Sequence, residues 1–153
     1  MQKEIIGKGK WEKDMQNEKL ERLLDYYAED YRIESFSYKM MGKLLEIENI
    51  KKSLQAYDIQ ELYVYGGGYL GVQLYNAVRK LTNVKAIVDK SGGISVDVQG
   101  IKSMSVQELE ANYANEKIII TPVRYYRPIK KDLTRFIEEE NILFLGEFLE
   151  GVI

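Results

Sequence analysis

The sequence contains no cysteine and no histidine among its 153 residues, and only two prolines. The absence of cysteine and histidine excludes disulfide frameworks, zinc fingers, thiol nucleophiles and serine–histidine–aspartate triads, because each requires one of those side chains. A Mg²⁺ site built from carboxylates alone stays open, since that ion takes oxygen ligands. We nevertheless expect no bound metal, and any chemistry of the protein must use other groups.

The sequence also lacks any segment with an excess of charge of one sign. Residues 1–58 carry 11 basic and 12 acidic side chains, and residues 59–153 carry the same numbers, for a net charge of −2. Nucleic-acid binding requires a basic patch. A membrane span requires about 18 consecutive apolar residues, and a signal peptide requires a shorter apolar segment near the N-terminus. The sequence contains neither. We therefore expect a cytoplasmic protein without nucleic-acid or membrane partners.

The first 58 residues are predicted to form a helical extension. Residues 1–16 are polar and lack periodicity, which we interpret as a mobile lead-in. A helix is then predicted from an N-cap at Asn17, and after a break at residues 33–37 a second amphipathic helix continues to Leu54. This helical hairpin would bury its apolar face either against the rest of the chain or against a second copy in a homodimer.

From residue 60 the pattern changes to alternating strands and helices. Strands are predicted at 61–65, 84–88, 117–121 and 142–145, with a very short extended piece at 101–104. A Ser-x-x-Glu capping box at Ser105 opens a short helix, and residues 90–99 are predicted to be a loop. We therefore predict an α/β fold, in which residues 59–153 form a Rossmann-like parallel sheet of four or five strands flanked by helices.

The first predicted strand runs directly into a glycine turn with the spacing G-x-G-x-x-G. Gly66 would permit the tight turn, Gly68 would let a phosphate approach the backbone, and Gly71 would let the next helix pack closely on the sheet. The unpaired amides at the start of that helix form an anion site. Asp89, after the second strand, would hold a ribose diol and disfavour a 2′-phosphate.

The turn therefore predicts that the chain binds NAD or another nucleotide with a free ribose diol. The alternative is that the glycines serve close packing alone, in a domain that has lost its ligand.

The run LYVYGGGYLGVQLYNAV, followed by VKAIVDK, GIKSMSVQELEAN and KIIITP, resembles a Rossmann-like nucleotide-binding domain of bacterial surface-polysaccharide and sugar-nucleotide proteins. The resemblance covers residues 59–149. It implies that the nucleotide cleft is lined by Gly66, Gly67, Gly68, Gly71, Asp89, Thr121 and Pro122. From their position in the turn we add Tyr69 and Leu70 to the predicted cofactor-binding residues. We also add Arg124, since an arginine after a strand end can bind a phosphate or carboxylate through two hydrogen bonds, and Arg127 could do the same.

The resemblance leaves the activity open. Epimerases and dehydrogenases of this kind need a longer chain and a Tyr-x-x-x-Lys pair, and we expect no such pair beside the cleft. Tyr125 and Tyr126 are the nearest candidates for a proton donor. We favour an accessory nucleotide-binding module in polysaccharide or sugar-nucleotide metabolism. The alternatives are a subunit of an NAD-dependent sugar-modifying oxidoreductase and a ligand-free Rossmann scaffold used for association.

Overall fold

A computed structural model describes residues 2–27, 30–90 and 100–150 of the chain. The helices in these ranges are α1 (Gln2–Tyr26), α2 (Asp30–Leu44), α3 (Ile47–Ala56), α4 (Tyr69–Val78), α5 (Val106–Asn112), α6 (Tyr126–Leu133) and α7 (Leu145–Glu150). The strands are β1 (Glu61–Tyr65), β2 (Asn83–Val88), β3 (Ser103–Met104), β4 (Lys117–Ile120) and β5 (Ile142–Phe144), and a 3₁₀ turn (Glu139–Asn141) precedes β5.

The five strands form one sheet with the order β3-β2-β1-β4-β5, and every neighbouring pair is parallel. The central strands are buried on both faces, which explains their uninterrupted apolar sequences: Val64, Ile87 and Ile119 are fully enclosed. The predicted α/β class and Rossmann-like parallel sheet are confirmed. The short extended piece predicted at residues 101–104 is the edge strand β3.

Helices cover both faces of the sheet. Across the sheet, the connection from β1 to β2 leads toward the β3 edge, and the connections from β3 to β4 and from β4 to β5 lead toward the β5 edge. Right-handed crossovers then place α4 on one face and α5 and α6 on the opposite face. Contacts agree with this, since α4 packs against α2 and α3. On the other face, Arg135 after α6 lies 3.7 Å from Glu110 of α5.

The N-terminal segment is helical as predicted, but its helices have different bounds. The lead-in predicted for residues 1–16 is wrong over the described residues, because α1 begins at Gln2 and Asn17 lies in its interior. Lysine, glutamate and glutamine favour a helix even without apolar periodicity. The predicted break at residues 33–37 is also wrong, because α2 passes through them without interruption. In its described residues, 2–27 and 30–58, the segment therefore forms three helices instead of a two-helix hairpin.

The continuity of α2 follows from its buried face. Phe36, Met40 and Leu44 recur every four residues and are all buried in the core. The hydroxyl of Ser37 donates to the carbonyl oxygen of Ile33 at 3.1 Å, so this polar group, inside the predicted break, is satisfied within the helix. A single strongly apolar stripe thus outweighs a local run of weak helix formers.

One other bound can be compared with the structure. The apolar spacing after the glycine turn predicts a helix that ends near residues 82–83, but α4 ends at Val78, and a turn leads from it into β2. The loop predicted at residues 90–99 lies, apart from Lys90, outside the described residues. None of the helices in the described ranges combines the length and the apolar character that a membrane crossing requires.

The buried apolar side chains form one cluster that includes residues from both predicted segments, 1–58 and 59–153. Phe36 of α2 stacks on Phe144 of β5 with ring centroids 5.5 Å apart. The division of the chain at residue 58 stays a prediction. Homodimer formation through the helices also stays a prediction. Large apolar side chains are exposed at Tyr38 of α2, at Leu45 between α2 and α3, and at Ile47 of α3.

Candidate functional site

Two glycines of the turn are required by the fold itself. Gly66 follows β1 directly and has a φ of +113°, a conformation that side chains rarely adopt. A β-carbon at Gly66 would lie 2.4 Å from the hydroxyl oxygen of Thr121. A β-carbon at Gly71 would lie 1.8 Å from the carbonyl oxygen of Gly66, so α4 passes directly against the turn. The close packing predicted for Gly71 is therefore present.

Gly68 differs from both. Its φ of −77° suits any residue, and a β-carbon there would have no heavy atom within 4 Å. Gly68 is exposed and is the N-cap of α4, where no side chain caps the first turn. Neither backbone conformation nor packing within the described residues requires glycine at this position. The surface above the first turn of α4 is left open to a close approach.

Asp89 is attached to the turn. Its carboxylate oxygen Oδ2 accepts a hydrogen bond from the backbone N–H of Gly67 at 3.0 Å. Its own N–H donates to the carbonyl oxygen of Met104 at 3.0 Å, which ties the end of β2 to β3. The residue that the sequence suggested for a ribose therefore also positions the glycine turn. A carboxylate offers about four lone pairs, so the contact with Gly67 does not exhaust its capacity as an acceptor.

Thr121 has a structural contact as well. Its hydroxyl donates to the carbonyl oxygen of Tyr65 at 2.9 Å, and its N–H donates to the same oxygen at 3.0 Å. The side chain is buried, and its hydroxyl oxygen lies against Gly66 and Gly71, so Thr121 packs on the inner side of the turn. Thr121 thus fixes the end of β4 to the end of β1, the two strands between which the direction of the connections reverses.

A cleft of about 770 Å³ opens at the carboxyl ends of the strands. Tyr65, Gly66 and Asp89 form its strand-end side, and the apolar side chains of Val106 and Ile129 come from α5 and α6. This is the point of the sheet where open α/β proteins bind ligands, and the volume falls in the range of small-molecule sites. Burial raises the pKa of Tyr65, and the charges of Asp89 and Asp132 add to that effect.

A second cavity of about 310 Å³ lies on the α2 side of the same strand ends. Leu70, Thr121 and Arg124 line it together with Ile33 and Phe36 of α2. Two residues line both cavities, Pro122 and Tyr125, so a ridge made of these side chains separates them.

The predicted site residues therefore lie close together but are distributed between two cavities. Gly66 and Asp89 face the larger cleft, whereas Leu70, Thr121 and Arg124 face the smaller cavity. Gly68 and Tyr69 lie on the exposed rim, and the side chain of Tyr69 is 60% exposed.

The arginines and tyrosines after β4 are separated by the fold. Arg127 points to α1, where its Nη2 lies 2.7 Å from carboxylate oxygens of both Glu21 and Asp25. Arg127 thus has anionic partners on α1 and lines neither cavity, and its binding of a phosphate stays a prediction. Tyr125 lines both cavities, whereas Tyr126 is buried and burial raises the pKa of its hydroxyl.

A Tyr-x-x-x-Lys spacing does occur in this segment, at Tyr126 and Lys130 of α6. Neither residue lines the glycine-turn cavities, and Lys130 forms an ion pair with Glu139 at 3.0 Å. The pair is not in a position to exchange a proton with a ligand bound at the turn. A dehydrogenase-like role for Tyr126 has no support in this arrangement.

Sequence reasoning missed the wall of the cleft formed by α5 and α6. Ser105, Gln107, Asp132 and Arg135 line the cleft in addition to the apolar side chains named above. The capping box at Ser105 could have indicated this, because it marks a helix that starts at the carboxyl edge of the sheet. No group of three or more carboxylates that could hold a metal ion lies within the described residues.

Comparisons with protein-family models, with curated proteins and with solved structures found no match to this chain.

Proposed function

We propose that the chain is an accessory nucleotide-binding module, and that its ligand is NAD or another nucleotide with a free ribose diol. The observation that carries the proposal is the open position at Gly68. Packing and backbone strain explain glycine at 66 and 71, but nothing within the described residues explains it at 68. A phosphate lying against the backbone there would explain it, because any side chain would keep the phosphate away.

The surroundings of Gly68 suit a phosphate and a base. The first amides of α4 point toward this rim without a capping side chain, and they present the positive end of the helix dipole. The adjacent cleft of about 770 Å³ has apolar walls at Val106 and Ile129 that could cover a base. Asp89 lines the same cleft beside the turn. In this proposal the diphosphate lies over the turn and the nucleoside enters the larger cleft.

The cellular context belongs to the proposal too. The resemblance of residues 59–149 to nucleotide-binding domains of surface-polysaccharide and sugar-nucleotide proteins is the basis for placing this module in that metabolism. The accessory role follows from the positions of Tyr126 and Lys130, which lie away from the cleft.

Replacement of Gly68 by valine tests the proposal. The side chain would enter open space but valine is a poorer N-cap than glycine, so we expect the free energy of unfolding to fall by about 1 kcal/mol at most. Nucleotide affinity should fall by about tenfold or more, since the phosphate can no longer approach the backbone. Titration calorimetry with NAD, a UDP-sugar, coenzyme A and S-adenosylmethionine would measure this, after a thermal-shift screen of the same compounds.

Gly42→Ala is the matched control, because Gly42 is also exposed with no atom within 4 Å of its β-carbon site but lies in α2. Its nucleotide affinity should equal that of the wild type. Absence of stabilisation by any of the four compounds at millimolar concentration would contradict the proposal. That result would favour the ligand-free scaffold. Unchanged affinity in Gly68→Val would also contradict the proposal, because it would mean that the turn serves packing only.

A further inference from the structure

A third cavity, of about 310 Å³, lies away from the glycine turn between α1, β5 and α7. It shares no lining residue with the two cavities at the turn. Leu20, Ile142 and Leu143 supply apolar wall, and the charged residues of the lining are Lys13, Lys130, Glu139, Glu140 and Glu147. The lining therefore holds two cations and three acids, of which Glu147 is the buried one.

Glu147 is 5% exposed, although it is an ionisable residue. Its Oε1 accepts a hydrogen bond from the N–H of Phe144 at 2.7 Å, which caps the start of α7. No cationic side chain of the described residues forms an ion pair with it. Burial raises the pKa of Glu147 to about 6, against the opposing effects of the Phe144 hydrogen bond and of the charge on Lys130.

The charged groups around the cavity do not compensate this carboxylate. Lys130 of α6 pairs with Glu139 at 3.0 Å, and the charge of Lys13 on α1 also acts on Glu139. Glu140 is a further acidic residue of the lining. The nearest cations are thus engaged by a different carboxylate, and the lining has an excess of negative charge.

The two tyrosines near Glu147 do not compensate it either. The hydroxyl of Tyr57 donates to the backbone oxygen of Glu147 at 3.3 Å, not to its carboxylate. Burial raises the pKa of Tyr57 to about 12, so that hydroxyl is neutral. The charge of Glu147 contributes to the raised pKa of Tyr126, and the buried hydroxyl of Tyr126 has no hydrogen-bond partner among the described residues.

We propose that this cavity binds a small, singly charged amine whose ammonium group forms an ion pair with Glu147. A buried carboxylate is costly unless a cation or several hydrogen-bond donors accompany it, and an ammonium group supplies both. The volume corresponds to about ten water molecules in the liquid, so the ligand has roughly ten non-hydrogen atoms or fewer. Its apolar part would contact Leu20, Ile142 and Leu143.

The test uses the full chain and three probes of the same size: n-butylammonium, 1-butanol and butyrate. Calorimetry or NMR titration at pH 7.5 should detect binding of n-butylammonium, with the alcohol and the carboxylate weaker by about tenfold or more. Equal binding of the amine and the alcohol would overturn the proposal, and so would absence of amine binding at millimolar concentration.

Glu147→Gln keeps an oxygen for the N–H of Phe144 and removes only the charge. We expect it to weaken amine binding by about tenfold or more, whereas Glu140→Gln, which changes an exposed acid of the same lining, should alter it by less than about twofold. Unchanged affinity in Glu147→Gln would overturn the proposal.

A pH titration of the wild type covers the case in which Glu147→Gln does not fold. At pH 5 only about a tenth of Glu147 is ionised, so affinity for the amine should fall about tenfold between pH 7.5 and pH 5. Affinity independent of pH over this range would overturn the proposal. Gly68→Val should leave amine binding unchanged, so the outcome is separate from that for the nucleotide.

Discussion

At the scale of single residues, the three glycines of one motif meet different physical demands. Gly66 is held by its positive φ, Gly71 by contact with the carbonyl oxygen of Gly66, and Gly68 by neither. The spacing G-x-G-x-x-G therefore does not by itself separate a packing role from a binding role. The packing and binding roles are distinguished by the atoms around each β-carbon position. A substitution at Gly71 therefore tests packing, and a substitution at Gly68 tests binding.

Gly71→Ala should destabilise the protein by about 2 kcal/mol or more, because its methyl group would overlap the Gly66 carbonyl oxygen at 1.8 Å. Gly68→Ala is the matched comparison and should stay within about 1 kcal/mol of the wild type, since alanine there meets no other atom but is a poorer N-cap than glycine. Urea unfolding followed by circular dichroism measures both. Equal stability of the two variants would mean that α4 does not pass against the turn as described.

Glu147 is a second residue whose surroundings decide its behaviour. Its pKa is raised from 4.5 to about 6 in the folded protein, so the folded state holds its proton more tightly than the unfolded state. This contribution to stability is fully present below pH 4.5 and is lost as the pH rises through 6. The carboxyl group therefore opposes folding at neutral pH, where it is ionised.

The wild type should lose about 2 kcal/mol of stability from this group between pH 4.5 and pH 7, from a shift of about 1.5 pH units. Glu147→Gln should lack that loss and be the more stable protein at pH 7. Urea unfolding of both proteins across this range measures the difference. Parallel pH profiles for the two proteins would contradict the assignment.

At the scale of elements, the capping box predicted at Ser105 is confirmed, whereas the N-cap predicted at Asn17 is wrong. The N–H of Glu108 donates to the hydroxyl of Ser105 at 3.1 Å, as the capping box predicts, and α5 begins at the next residue, Val106. In α1 and α2 the predicted boundaries are wrong, because α1 continues through Asn17 and α2 continues through residues 33–37. A capping box depends on two residues three positions apart, so the sequence shows it directly. The continuity of a helix depends on the tertiary packing of its apolar face, which a local pattern does not show.

Ser105→Ala should destabilise the protein by about 1 kcal/mol, because the N–H of Glu108 loses its acceptor at the start of α5. Gln107→Ala, in the same helix at an exposed position, is the control and should change stability by no more than about 0.5 kcal/mol. Thermal and urea unfolding measure both. Equal effects of the two substitutions would show that the cap does not stabilise α5.

At the scale of the whole molecule, the N-terminal helices and the parallel sheet contribute to one hydrophobic core. Phe36 of α2 is 1% exposed and stacks on Phe144, which in turn contacts the ring of Tyr126 at 5.2 Å. A chain of aromatic contacts thus runs from α2 through β5 to α6. Loss of its first member should affect the stability of the sheet as well as that of the helices.

Phe36→Ala should lower the free energy of unfolding by about 3–5 kcal/mol, through lost burial and the cavity left behind. Tyr38→Ala, two residues along the same helix and 81% exposed, should change it by about 0.5 kcal/mol at most. Scanning calorimetry should record a single transition in each protein, shifted to lower temperature only in Phe36→Ala. Two transitions in Phe36→Ala would show that the helices and the sheet unfold separately.

The sequence by itself determined the class of the fold, the positions of β1, β2 and β4, and the glycine turn. These features depend on signals within a few residues: apolar runs, a glycine where a strand turns sharply, and a cap three residues from its partner. Tertiary structure decided that Gly68 is open while Gly71 is packed, that Arg127 belongs to α1, and that Glu147 is buried. The physical reason is that exposure, ion pairing and desolvation depend on residues far apart in the chain, which only folding brings into contact.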